Sequence, residues 1–170
     1  MTCIVGLIDD GAVYMGGDSA AILDSNVEVR QNRKVFRKGA YLIGYAGSYR
    51  VGQLIEHTLE LDSPQGALLK HMITHVAEKI REISGKESAE VLIGCLGRLF
   101  KFSSDFSVAE YKRYAAIGQA DQCALGSLFD GRGDPTKRVL RALGAAQEHN
   151  AAVRAPFYVE ASAGPRKRSA

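Results

Sequence analysis

Segments with strand character and segments with helical character come in blocks along this chain. That grouping constrains the fold more than any single motif does. Residues 2–8, Thr-Cys-Ile-Val-Gly-Leu-Ile, and residues 12–16 are short apolar runs split by Asp9-Asp10-Gly11, which predicts a hairpin. Residues 27–31 alternate apolar and charged, another strand signal. Residues 34–47 predict a strand, a turn at Arg37-Lys38-Gly39, and a second strand with a glycine exit.

The period then changes. Val51, Leu54, Ile55, Leu59 and Leu61 fall near helical spacing, as do Leu68, Leu69, Met72, Ile73, Val76, Ile80 and Ile83 before Gly85. Asp62-Ser-Pro-Gln-Gly66 joins the two helices and carries helix-start chemistry. Strands return at 90–97, 98–102 and 107–114. Helices follow over 119–129 and from Pro135 to near His149, and a last strand over 157–160. A βαβα alternation would predict a parallel sheet. Blocks of strands between pairs of helices instead predict an α+β fold, a four-layer αββα sandwich of two stacked antiparallel sheets.

Composition narrows the function classes. A chain of 170 residues with 46% apolar and 24% charged residues suits one globular domain spanning 1–170. A net charge of +3, spread along the chain, gives no reason to expect a nucleic-acid partner. The local basic cluster is the end, 164–170, expected to be a flexible solvated tail. No apolar run approaches the roughly 20 residues that span a membrane, and no signal peptide is visible. Cys3, Cys95 and Cys123 show no CxxC or metal-type spacing, so the expectation is buried thiols in the cytoplasm and no metal ligands.

Thr2 raises a chemical question, because it stands at the head of the first strand directly after Met1. Removal of Met1 would leave one residue carrying both a hydroxyl and a free amine. The hydroxyl is a weak nucleophile alone, and an amine with a pKa near 7.7–8.0 is a suitable base at neutral pH. A cation would favour the alkoxide, and a carboxylate would hold that cation. Asp18, after Gly16-Gly17, and Lys34 stand at the right kinds of positions. Each also has an ordinary reading, as a turn cap and as a strand-end charge. Ser19 supports either the amine or the local backbone. Gly44 offers a backbone N–H that can approach a substrate oxygen closely, or it permits a tight strand exit. Cys3 alternates to the opposite face from Thr2 and is read as packed. His71 and His75, at i and i+4, are read as a helix-face pair.

Met-Thr-x-Ile-Val-Gly at the start, Gly-Asp-Ser sixteen residues after Thr2 and Lys34 thirty-two after it together resemble a known family. It is the threonine-peptidase branch of the N-terminal nucleophile hydrolases, near the bacterial HslV type and proteasome β-subunits. Gly44-Tyr-Ala-Gly47 and Ala116-Ile-Gly118 extend the likeness. The resemblance implies Thr2 as nucleophile with its amine as base, Lys34 and Asp18 assisting, and the Gly44 N–H in the oxyanion hole. It implies a substrate pocket at Ala21, Asn32, Leu42 and Ala46. It implies peptide-bond hydrolysis through an acyl-enzyme, inside a homo-oligomeric chamber of stacked rings fed with unfolded protein by an AAA+ ATPase unfoldase. No organic cofactor is required, and a structural monovalent or divalent cation near the last helix occurs in relatives. The chain departs from the pattern at Gln119, where the family usually has serine, and at Asn150, aligned with an aspartate. Those departures motivate one alternative, a non-catalytic ring subunit; a second, an amidohydrolase of the same class acting on a small amide, would use the same Thr2.

Overall fold

Alternation along the strands sorts the side chains into three cores, and these define the layers. The computed structural model describes residues 2–24 and 26–162, so the expected tail at 164–170 lies outside the described residues. Strand β1 (Cys3–Asp9) pairs antiparallel with β2 (Ala12–Gly17). Asp10 and Gly11 between them both take positive φ, 44° and 72°, as a two-residue type I′ turn requires. β10 (Tyr114–Gly118) and β11 (Tyr158–Ala161) complete a four-stranded sheet in the order β10-β1-β2-β11. The second sheet runs β5 (Val35–Lys38), β6 (Tyr41–Gly47), β7 (Ala89–Cys95), β8 (Arg98–Phe102), β9 (Val108–Tyr111), antiparallel throughout.

On β1, Ile4 turns into the space between the sheets, whereas Cys3, Val5 and Leu7 turn outward. On β6, Leu42 and Ala46 face the other sheet, and Tyr41 and Ile43 face away. The outer face of the first sheet is covered by α4 (Asp121–Asp130) and α5 (Pro135–His149), through Ala124, Leu128, Val139 and Leu143. The outer face of the second is covered by α1 (Tyr49–His57) and a helical rod from Leu68 to Ser84, through Val51, Ile55, Met72, Val76 and Ile80. The result is two antiparallel sheets face to face with a helical layer outside each. Each fully buried aliphatic side chain contributes about 1.5–3 kcal/mol of transfer free energy to these cores.

Helix ends follow their sequence signals. Ser48 caps α1 with its Oγ on the Val51 N–H at 3.3 Å, and Asp134 caps α5 on the Lys137 N–H at 2.8 Å with Pro135 in the first turn. Gly85 ends the rod with φ 59°. The rod begins differently from the sequence expectation: Ala67 occupies the cap position and offers no side-chain bond. It is also interrupted, as α2 (Leu68–His71), a π-helical turn (Met72–Val76) and α3 (Ala77–Ser84). Leu68, Met72, Val76 and Ile80 are all buried, and their four-residue spacing runs ahead of a 3.6-residue turn. One wider turn brings that row back onto the core face.

Two further differences matter for the site. Residues 107–114 are not one strand. β9 ends at Tyr111 in one sheet and β10 begins at Tyr114 in the other, because the chain crosses the sandwich between them. β4 (Asn26–Val29) pairs with β3 (Ala20–Leu23), a strand the sequence did not announce, in a separate two-stranded ribbon. The alternation at 27–31 therefore marks an exposed ribbon and not a half-buried sheet strand; Val29 is 57% exposed. No helix among the described residues is long and apolar enough to cross a membrane.

Candidate active site

Hairpin register puts the head of β1 beside the tail of β2. Ile4 lies opposite Gly17, so Thr2 and Asp18 come to the same end of the sheet. Asp18 is 1% exposed and accepts four hydrogen bonds. Its Oδ1 takes the Cys3 N–H at 3.1 Å and Lys34 Nζ at 2.8 Å. Its Oδ2 takes the Ala20 N–H at 2.9 Å and the Arg154 N–H at 3.4 Å. One carboxylate oxygen thus joins the peptide that follows Thr2 to the lysine. Lys34 comes from the other sheet, one residue before β5, with its carbonyl on the Tyr45 N–H. Its Nζ also donates to the Ala20 carbonyl at 2.6 Å. Tyr49, at the start of α1, donates to that same carbonyl at 2.8 Å and sets its ring 5.6 Å from Nζ.

Burial pulls the Lys34 pKa below the ordinary lysine value, and Asp18 opposes that pull. Such a lysine releases its proton more readily than an exposed one. The side-chain pair is fully buried, a placement that persists only because both ions keep hydrogen-bond partners.

Thr2, 2% exposed, lies at the floor of an open cleft of about 470 Å³. Ala46, Gly47, Glu90, Gly118 and Gln119 are among its walls. Gly118 takes φ 95°, and a Cβ there would fall 2.1 Å from the Thr2 carbonyl oxygen. Gly118→Ala should therefore cost about 1–3 kcal/mol, read as a drop of roughly 2–12 °C in Tm, since both strain and contact oppose the methyl.

The sequence matches no protein-family model. The structure matches solved chains across nearly its whole length. Thiobacillus denitrificans BPH, in a complex with epoxomicin, superposes with a TM-score of 0.83 at 20% identity, covering 96% of this chain and 100% of that one. Trypanosoma brucei HslV gives 0.70 at 16% identity, over 94% and 98%. Anbu from Yersinia bercovieri gives 0.73 at 15% identity, over 95% and 81%. The fold is that of the proteasome-like N-terminal nucleophile hydrolases.

Within this nucleophile-hydrolase fold the expected residues separate into those gathered at the cleft and those placed elsewhere. Thr2, Asp18 and Lys34 converge. Gly44 does not reach the cleft. It stands mid-strand, opposite Val35 on one side and Leu92 on the other, so its N–H belongs to a ladder. A Cβ on it would meet Ile4 at 2.6 Å and the Met15 sulfur at 2.9 Å, deep between the sheets. Gly47, at the exit of the same strand, does line the cleft with Thr2. The Tyr45 N–H reaches the Lys34 carbonyl where the β5 ladder ends, and the two-residue repeat points the Gly47 N–H off the same edge. Gly47 is exposed, with φ 107°. Its signal in the sequence was the strand-exit position.

Ser19 donates its hydroxyl to the Pro156 carbonyl at 2.6 Å and its N–H to the Arg154 carbonyl at 2.9 Å, main-chain groups of a distant segment and not of its own turn. Of the four expected pocket residues, Ala46 lines the cleft. Leu42 is packed between the sheets, because β6 alternation sends it inward with Gly44. Ala21 is buried in β3, and Asn32 borders a separate hollow with Arg33, Arg37 and Glu160. Gln119 stands exposed on the cleft rim, and Asn150 spends its Oδ1 on the Ala152 N–H at 2.8 Å. Sequence reasoning missed Tyr49, Arg154 and Glu90, whose roles depend on contacts between distant segments.

Cys3 faces the helices, opposite Thr2 as strand alternation requires. Burial, reinforced by the Asp18 carboxylate, pushes its thiol up to about 12, and burial pushes Cys95 up to about 11. Iodoacetamide at pH 8 should therefore modify half-buried Cys123 first and reach Cys3 and Cys95 only in denaturant, as peptide mapping would show. His71 and His75 stack at 5.4 Å around the π-helical turn, with His71 Nε2 2.9 Å from the Tyr41 hydroxyl. Among the described residues no group of three or more His, Cys, Asp or Glu is gathered for a metal ion.

Proposed function

We propose that Thr2, once Met1 is removed, is the nucleophile of a threonine endopeptidase. The observation that carries this reading is the buried Asp18–Lys34 pair, whose shared Oδ1 also holds the Cys3 N–H directly after Thr2. The amine freed by loss of Met1 takes the hydroxyl proton, and the oxygen attacks the substrate carbonyl. Lys34 stabilises the developing alkoxide by charge, and Asp18 keeps its ammonium in place. The Gly47 N–H donates to the tetrahedral oxyanion, the role first assigned to Gly44. The amine then returns its proton to the leaving nitrogen, an ester remains on Thr2, and water hydrolyses it. No organic cofactor enters this sequence of steps. Ser19 holds the loop at 154–156 against the site, and Ala46 forms part of the wall met by the substrate.

A nucleophile open to solvent would cleave without discrimination, so the reading includes a homo-oligomeric ring enclosing the clefts and an ATPase partner delivering unfolded chains. Intact-mass spectrometry before and after epoxomicin, the epoxyketone bound by the BPH relative, tests the chemistry. Loss of Met1 and a single adduct on Thr2 are expected. Sedimentation of the same sample tests the ring.

One observation favours a second reading. Gln119 and Asn150 replace the serine and aspartate of the family pattern, and Asn150 is committed to its own turn. A non-catalytic ring subunit accommodates that. Retention of Met1 with ring assembly intact would select the scaffold; a Thr2 adduct rejects it.

A further inference from the structure

β10 is an outer strand, so alternate N–H and C=O groups along it point away from β1. The Arg113 carbonyl accepts from the Ile8 N–H, which assigns the inward set to 113, 115 and 117 and the outward set to 114, 116 and 118. Two side chains of the opposite sheet cover the outward groups nearest Thr2. Glu90 of β7 accepts the Gly118 N–H on Oε2 at 3.1 Å. Lys101 of β8 pairs with Glu90 Oε1 at 3.2 Å and donates to the Ala116 carbonyl at 3.5 Å. Lys101 lies opposite Leu92, two residues beyond Glu90, so the pair forms one bridge from the second sheet to the edge of the first.

Gly118 is the residue whose main chain presses on Thr2, within the distance that excludes a Cβ. Glu90 also lines the cleft. Both of its carboxylate oxygens are engaged, by Lys101 and by the Gly118 amide. We infer that Glu90 and Lys101 are positioning residues that hold the Gly118–Gln119 bend against Thr2, closing the sandwich at the cleft and setting the attack geometry of the nucleophile. The positioning part of this inference rests on Thr2 being the nucleophile. The bridge itself does not.

A misplacement of about 1 Å at a reacting group costs up to roughly 100-fold in rate. In Glu90→Ala the Gly118 amide loses its acceptor, and the bend is released. Epoxomicin labelling of Thr2 should slow by about 10-fold or more, with kcat for peptide cleavage falling and KM little changed. Glu90→Gln keeps a neutral acceptor for the amide and should recover labelling to within about 3-fold of the parent. Hydrogen exchange over residues 114–120 provides the readout independent of activity: faster in Glu90→Ala, near parental in Glu90→Gln. Should Glu90→Ala not fold, Lys101→Met, which leaves the carboxylate unanchored, takes its place with the same readouts. Unchanged exchange and unchanged labelling overturn the inference. A parent protein that never labels overturns the nucleophile and the positioning role together, and the exchange contrast then judges the bridge alone.

Discussion

Thr2→Ala should lose peptide hydrolysis by on the order of 10⁴–10⁶-fold, the scale seen when a covalent nucleophile is removed. The fold should survive. Thr2 precedes the first ladder position, so the sheet register from Cys3 onward does not depend on its hydroxyl. The measurement is steady-state cleavage of a peptide panel, with thermal melting and sedimentation as controls. Thr2→Ser should keep part of the activity, because it retains hydroxyl and amine. Equal turnover by Thr2→Ala and parent would remove Thr2 from the mechanism. Loss of assembly together with activity would reassign it to structure.

Lys34→Met should be the most destabilising single change near the cleft. The Asp18 carboxylate would remain fully buried without its counter-ion. Breaking such a pair from one side costs about 3–5 kcal/mol, visible as a shifted midpoint in urea unfolding. Removing both charges in Lys34→Met/Asp18→Leu should recover part of that stability while activity stays absent. Recovery would be partial because Asp18 also accepts three backbone N–H groups, from Cys3, Ala20 and Arg154. A single variant as stable as the parent would contradict the geometry.

The same pair has a pH signature. The Lys34 pKa is lowered in the folded protein, with burial as the main cause, so the unfolded chain binds that proton more tightly. Where the unfolded state holds more protons, stability rises with pH. The contribution of this group should therefore increase from its folded value up to the ordinary lysine value of 10.5 and then level off. The double variant should lack that rise, which a urea series across alkaline pH would reveal.

Where the structure places the expected residues follows a physical line. Thr2 and Asp18 come to one end of a sheet because a short hairpin joins their strands, and Lys34 meets Asp18 from the head of a strand in the other sheet. A two-residue turn sets Asp18 opposite the start of β1, and Lys34 sits directly at the head of a strand. Gly44 failed for a different reason. Choosing between Gly44 and Gly47 requires knowing where the β5 ladder stops, a property of pairing and not of composition. Leu42 failed likewise: its parity on β6 directs it between the sheets, and the partner surface there is made by strands far away in the chain.

The order of strand and helix blocks, the I′ turn at Asp10-Gly11 and the caps at Ser48 and Asp134 were all determined locally, within a few residues of themselves. Those local choices were enough to specify two antiparallel sheets and their helical covers. Tertiary structure alone decided which glycine faces the cleft, that Tyr49 and Lys34 share the Ala20 carbonyl, and that Glu90 and Lys101 of one sheet cap the edge of the other. The reason is that hydrophobic patterning marks which face of an element is buried but not what lies across from it. Contacts between faces become definite only when the layers close and each buried polar group finds its partner.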